Sequence, residues 1–289
     1  MYVAVRDVML HYLKKEEPWG SLKQLGASAV ELVIDRNLQT SDFLGFEGKV
    51  FHLGQAKERE ALQRKTSENK IKICAFLMAN NFTNKNIEEE IKWMKRACDI
   101  ANKLNIETIR IDISAHFKEE QVKPFVQRCG NIIKQVLSST EKVSLGIENH
   151  SNLTNKKEIM DAILKEVNSD RLGITLDSGN FYWWGYPLKE VYQIIEHFAP
   201  YVKHTHIKNI SYPLEKREIK REIGWEYAQY VAPIYEGDID HYRVISILKT
   251  AGYNGDITVE DESLGKFPEK ERGKILKKDV EYLKKITQS

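Results

Sequence analysis

The 289-residue chain has only three cysteines, Cys74, Cys98 and Cys129, widely spaced and odd in number. Such a set offers neither a disulfide framework nor a cysteine-ligated zinc site. Cys74 lies in an apolar run and Cys98 in a helical pattern, so both read as small core residues. No apolar run approaches the ~20 residues of a membrane span, and residues 1–7 lack a charged stretch leading into an apolar one. The expectation is a soluble, cytoplasmic protein with no membrane partner. A dominant charge is missing too. Lys and Arg number 44 against 42 for Asp and Glu, which leaves no electrostatic footprint for nucleic acid. No glycine occurs before Gly20, so the first strand is not followed by the Gly-rich turn that a doubly wound sheet wants. Linkers and low-complexity segments are absent, and a single domain over 1–289 is expected.

Short β-branched or apolar runs alternate with amphipathic helical patterns from end to end. The runs at 3–8, 29–34, 71–77, 108–113, 143–147, 172–176, 202–207 and 256–259 predict strands. Helices are predicted over 87–104, 119–137, 156–167, 188–198, 239–251 and 268 to about 286. In 87–104 the apolar residues Ile87, Ile91, Met94, Ala97, Ile100, Ala101 and Leu104 recur at helical spacing. Eight strand-then-helix units imply a parallel sheet with helices outside, and eight units close an α/β barrel of the TIM type, for which roughly 250 residues is typical. One connection is long, 211–238. It carries the charged run from Glu215 to Glu222 and follows a histidine-bearing strand, which makes it a candidate lid.

Four strands end in residues suited to metal: Glu148, Asp177, His206 and Glu260. A carboxylate at the end of a buried apolar strand is costly unless its charge is compensated. The intervals are 29, 29 and 54 residues, one βα unit twice and then a unit with an enlarged loop, since such a unit needs about 30 residues. Parallel strands end on one side of the sheet, so in a closed barrel the four would meet at one rim. Residues two apart share a face, which groups Gly146, Glu148 and His150, Thr175 and Asp177, His204 and His206, and Glu260 and Glu262. Three carboxylates with one or two imidazoles suit one divalent ion, Mn²⁺ first, with Zn²⁺ or Co²⁺ as alternatives. Arg110 and Asp112 share a face on the fourth strand, where they would pair with each other.

The segments Ile147-Glu148-Asn149-His150, Leu176-Asp177-Ser178-Gly179-Asn180-Phe181, His204-Thr205-His206-Ile207-Lys208, Glu236–Asp240 and Gly252–Glu260 make the chain recognisable. It resembles the xylose-isomerase-like barrel superfamily, in particular the sugar phosphate isomerases/epimerases, a group related to endonuclease IV-type barrels. The resemblance is strongest from about residue 85 to 262. It implies that Glu148, Asp177, His206 and Glu260 are the metal ligands. The chain departs from many relatives in having Asn180 in place of a histidine, Asn209 in place of an aspartate after Lys208, and Tyr235 in place of a glycine. These departures leave a single-metal site intact and speak against a multi-metal centre.

The resemblance further implies a metal-dependent isomerase or epimerase of a sugar or sugar-derived ketone, with proton transfer through a metal-stabilised enediolate. Glu148 and Glu260, on opposite sides of the ion if they end the fifth and eighth strands, would be the catalytic acid–base pair. His204, Lys208, His150 and Trp183 are the candidate substrate contacts, with His150 also placed to brace the metal site and Trp183, Trp184 and Tyr186 to wall a sugar ring. The alternative is a dehydratase of the same barrel acting on an inosose or dehydroshikimate-like compound, and after it an AP-endonuclease-like repair enzyme. The expected partner is a small sugar or polyol-derived molecule, not a nucleic acid, and a homo-oligomer stays open.

Overall fold

The computed structural model describes residues 1–13, 18–41, 50–83, 85–113 and 122–288. Its strands are β1 (Tyr2–Arg6), β2 (Ala29–Val33), β3 (Lys72–Met78), β4 (Thr108–Ile111), β5 (Ser144–Glu148), β6 (Leu172–Asp177), β7 (Val202–His206) and β8 (Asp256–Val259). Each lies parallel to its neighbour in chain order, and β8 returns to pair with β1, Val3 opposite Ile257. Between β7 and β8 the ladder narrows to one bridge, Ile207 opposite Val259. There the Ile207 N–H donates to the Thr258 carbonyl at 2.8 Å, and the Glu260 N–H to the Ile207 carbonyl at 3.0 Å. Thr205 stitches the same seam with its side chain. Its hydroxyl donates to the Asp256 carbonyl at 3.0 Å and accepts from the Thr258 N–H at 3.1 Å. The sheet thereby closes into the expected eight-stranded TIM barrel.

The helices are α1 (Pro18–Leu25), α2 (Ala56–Asn69), α3 (Ile87–Leu104), α4 (Val122–Leu137), α5 (Lys157–Val167), α6 (Leu188–Phe198), α7 (His241–Thr250) and α8 (Glu269–Gln288). Local chemistry sets their ends. Glu88, Glu89 and Glu90 occupy the first turn of α3, where they oppose the helix dipole, and Asn105 ends it in a left-handed conformation. Asp240 caps α7 by accepting the N–H groups of Tyr242 and Arg243 at 2.9 and 3.3 Å. The start of the helix expected from 119 lies outside the described residues. The first strand is shorter than expected, because Asp7 opens a 3₁₀ turn, Asp7–Leu13, and takes the Val33 N–H at 2.8 Å. The fourth also stops early, at Ile111. Among the described residues no helix is long and apolar enough to cross a membrane.

Strand alternation separates two environments. Val3 and Val5, Leu145 and Ile147, Ile174 and Leu176, and Ile257 and Val259 join the core shared with the helices. The residues between them face the barrel interior. Instead of filling that interior with branched side chains, as such barrels commonly do, the chain places Ala4, Ala29, Cys74 and Ala75 in one small cluster and fills the rest with polar and charged groups.

The segment expected as a lid is folded. A two-stranded antiparallel ribbon, Asn209–Ile210 against Val231–Ala232, closes its base, and short helices Leu214–Arg217 and Tyr227–Tyr230 lie within it. Arg221 fastens it to the short helix Asn180–Trp184 and the turn that follows. Its guanidinium lies 4.4 Å from the Tyr182 ring and 4.5 Å from the Tyr212 ring, and donates to the carbonyls of Tyr182 and Tyr186 at 3.0 and 2.9 Å.

Candidate metal centre

Glu148, Asp177, His206 and Glu260 converge where β5, β6, β7 and β8 end, each offering one ligand atom within 4.8 Å of the others. All four are buried. His206 Nδ1 lies 3.3 Å from Glu148 Oε1 and 3.3 Å from Glu260 Oε2. Those separations suit the edges of a coordination shell with bonds of about 2.0–2.2 Å. Three of the inward atoms, Asp177 Oδ2, His206 Nδ1 and Glu260 Oε2, are buried and make no well-aligned hydrogen bond, their close neighbours being one another and Lys208 Nζ, 3.2 Å from Asp177 Oδ2 and 3.7 Å from Glu260 Oε2. Buried polar atoms so poorly satisfied in such number at one point are rare in folded proteins, and one oxygen-rich donor set with a single imidazole fits a divalent cation.

The surroundings fix each ligand. Asp177 Oδ1 accepts the N–H groups of Gly179 and Asn180 at 2.8 and 2.7 Å, leaving Oδ2 to face inward. Gly179 is needed there because a side chain would meet Lys208 Cγ at 2.7 Å. Asn149 ties the ends of β5 and β6 together, donating to the Asp177 carbonyl at 3.0 Å and accepting its N–H at 2.8 Å. Asn180 donates to Glu148 Oε1 at 3.3 Å. Glu148 Oε2 is gripped by Arg110, and Glu260 Oε1 by Arg6. The two glutamates are thus arranged alike, one oxygen inward and the other on an arginine.

His206 Nε2 lies 3.0 and 2.9 Å from the two oxygens of Glu31. A donor at Nε2 leaves the Nδ1 lone pair for the site. Burial works against the charge of Glu148, yet Arg110 and then His206 hold its pKa well below the carboxylate range. Asp177 is raised, chiefly by burial and against the pull of Lys208. Burial lowers the His206 imidazole, but Glu31 and Glu148 outweigh it and raise its pKa.

The expected substrate contacts separate. Lys208 reaches the rim, with Nζ 3.2 Å from Asp177 Oδ2 and 2.6 Å from Glu262 Oε1. Glu262 in turn accepts from the Tyr227 hydroxyl of the flap. His204 does not fit a substrate role. It is fully buried, with Nε2 2.9 Å from Glu31 Oε1 and Nδ1 2.7 Å from Asp256 Oδ2, so neither ring nitrogen is free. His150 stands half exposed at the rim and bonds Asp112 Oδ2 at 3.1 Å, rather than bracing a ligand. The Trp183 indole lies beneath the flap, where a side chain at Gly224 (φ +67) would meet its Nε1 at 3.1 Å. Arg110 does approach Asp112, at 3.8 Å, but its close partner is Glu148.

Arg6, Glu31 and Asp256 were not singled out by the sequence. The signal for Glu31 is present in hindsight: a lone carboxylate in the middle of the apolar strand Ala29–Val33. Arg6 and Asp256 lie at strand ends, where a charge is ordinary.

The xylose isomerase-like TIM barrel family model matches residues 20–286. The chain belongs to that family. No curated protein matches it. Among solved structures, an IOLI protein with a bound zinc atom superposes with a TM-score of 0.73 at 17% identity, covering 100% of this chain and 98% of that one. The probable 3-DHS dehydratase AsbF of Bacillus anthracis gives 0.66 at 17% identity, covering 98% and 99%. A sugar phosphate isomerase/epimerase from Parabacteroides distasonis gives 0.67 at 16% identity, covering 97% and 92%. At these identities the likeness speaks for the fold.

Proposed function

We propose that this family member is a divalent-metal-dependent isomerase or epimerase of a sugar or sugar-derived ketone. The observation that carries this reading is the convergence of the buried Asp177 Oδ2, His206 Nδ1 and Glu260 Oε2, none of them in a well-aligned hydrogen bond, beside Glu148 Oε1. These four residues would hold the ion, Mn²⁺ by preference and otherwise Zn²⁺ or Co²⁺. When bound, the ion polarises a substrate carbonyl and offsets the charge that develops as the adjacent C–H is deprotonated. Glu148 and Glu260 would move the proton, one removing it and the other supplying it, each through the carboxylate oxygen that does not hold the ion, the oxygen that faces Arg110 or Arg6 in this structure. Lys208 orients a substrate oxygen at the rim. The flap, held by Arg221 and by Tyr227 on Glu262, limits access of water.

Loss of water from a cyclic polyol ketone needs the same proton removal and is the second reading. The Lys208–Glu262–Tyr227 series favours it, as a proton donor path for a leaving hydroxyl. The test is a screen of ketoses, inososes and sugar phosphates with metal-supplemented protein in deuterated water. An isomerised or epimerised product with deuterium at the reacting carbon supports the proposal. An ultraviolet-absorbing enone favours the dehydratase. Inertness across the screen with metal bound would end both.

A further inference from the structure

Beneath the four converging residues runs a buried series of closely spaced charges that proton transfer does not use. Asp256 Oδ2 lies 2.7 Å from His204 Nδ1, and His204 Nε2 lies 2.9 Å from Glu31 Oε1. Both Glu31 oxygens then face His206 Nε2 at 3.0 and 2.9 Å. The side chains of His204, Glu31 and His206 are fully buried and that of Asp256 is 4% exposed. Asp256 is itself fixed by the Thr258 hydroxyl at 2.7 Å and the Thr205 N–H at 3.3 Å. The series crosses the barrel from β8 through β7 to β2 and back to β7.

We propose that Glu31, held in place by His204 and Asp256, is a positioning residue for the metal centre: it fixes the His206 tautomer and ring orientation, and so sets how tightly Nδ1 binds the ion. The inference rests on the reading of His206 as a ligand. Its physical basis is that a buried ionic array contributes little net stability and is often replaceable by apolar residues, whereas this array has one outlet, the Nδ1 lone pair. A carboxylate on the far nitrogen of a ligating imidazole orients the ring and raises its basicity. Glu31 can do this only if its carboxylate cannot rotate. His204 prevents rotation by taking Oε1 from the opposite side, its ring 78° from that of His206.

The experiment measures Zn²⁺ affinity by competition with a chromophoric chelator, and the visible spectrum of the Co²⁺-loaded protein, in Glu31→Gln, His204→Gln, Asp256→Asn and His206→Ala. Glu31→Gln is expected to weaken Zn²⁺ about 10- to 100-fold and to shift the Co²⁺ bands. His204→Gln should do so less, and Asp256→Asn least. Melting of the metal-free proteins separates positioning from damage to the fold, since affinity should fall in this order whether or not melting does. Affinity within twofold of wild type in Glu31→Gln, with unchanged Co²⁺ bands, overturns the inference. So does an affinity loss that only tracks the melting of the metal-free proteins. His206→Ala tests the underlying reading separately: if it binds Zn²⁺ like wild type, His206 is no ligand and the proposed function falls with it. Should Glu31→Gln fail to fold, Asp256→Asn and His204→Gln decide, and wild-type affinity in both overturns the inference.

Discussion

The two halves of the barrel do different work. Strands β5 to β8 end in the four residues that converge as candidate ligands, while β1, β2 and β4 contribute Arg6, Glu31 and Arg110, each of which grips one of those four from behind. The first half carries little that would attract attention as chemistry, yet without it Lys208 would be the one cation close to three buried carboxylates among the described residues. The difference teaches that a site of this kind is made by opposition across the barrel. One half presents donor atoms, and the other neutralises and aims them.

The sharpest way to break that division is to remove ligands. Asp177→Ala and His206→Ala should lose divalent metal by far more than the 10- to 100-fold expected of an outer partner, as read by metal analysis after dialysis. Retention of stoichiometric metal in either would show that the second half does not hold the ion alone. Next in size is the acid–base pair. Glu148→Gln and Glu260→Gln keep shape but lose the basic oxygen, and each should cut turnover by about 10²–10⁴-fold on whichever substrate the screen identifies. Near-wild-type rates in both, with metal present, would remove the two-carboxylate mechanism.

The bracing half is tested by its arginines. Arg110 is buried, its side chain 6% exposed, so Arg110→Met strands Glu148 in a buried site and should cost about 3–5 kcal/mol of stability in urea unfolding. The Arg6 side chain is 24% exposed, and Arg6→Met should cost clearly less. Equal costs would mean that burial does not distinguish the two braces. The last expected effect shows only under acid and concerns His241, in the second half, whose Nε2 lies 3.2 Å from both the Ser178 hydroxyl and the Lys208 carbonyl. Burial pulls its pKa down to about 4. The unfolded chain, with an ordinary imidazole, takes up a proton first, so stability present above pH ~6.5 is lost as pH falls towards 4, by about 3 kcal/mol in all. In His241→Gln the metal-free protein should lose less stability than wild type over that pH interval. A pH dependence identical to wild type would show that His241 is not the group responsible.

Much of this was legible from the chain. Strands with β-branched or apolar runs stood out, and α3 announced itself by spacing. The four candidate ligands were conspicuous because a carboxylate or imidazole ending an apolar strand breaks the local pattern. Helix α2 was not legible, since among its residues only Leu62 is buried and it has almost no apolar stripe. His204 was read as a substrate group because it shares a strand face with His206. Strand alternation gives a face but not a depth, and one residue pair lower in the barrel His204 meets Glu31 and Asp256 in place of solvent. Lys208 and His150 were read as substrate contacts from their strand faces, whereas their immediate partners, Glu262 and Asp112, follow from the packing of neighbouring strands.

By itself the sequence determined the periodicities that make eight strand–helix units and the residue types at the strand ends, because both depend on neighbours a few positions away. Only the closed barrel decided which inward residues touch. Glu31 and His206 are 175 positions apart, and Arg6 and Glu260 are 254 apart. Their meeting depends on the register of all eight strands and on the seam at Thr205, where the last strands are joined. A one-residue slip of any one strand would turn its own inward residue outward, so the pairing of brace with candidate ligand is a property of the whole circle of strands.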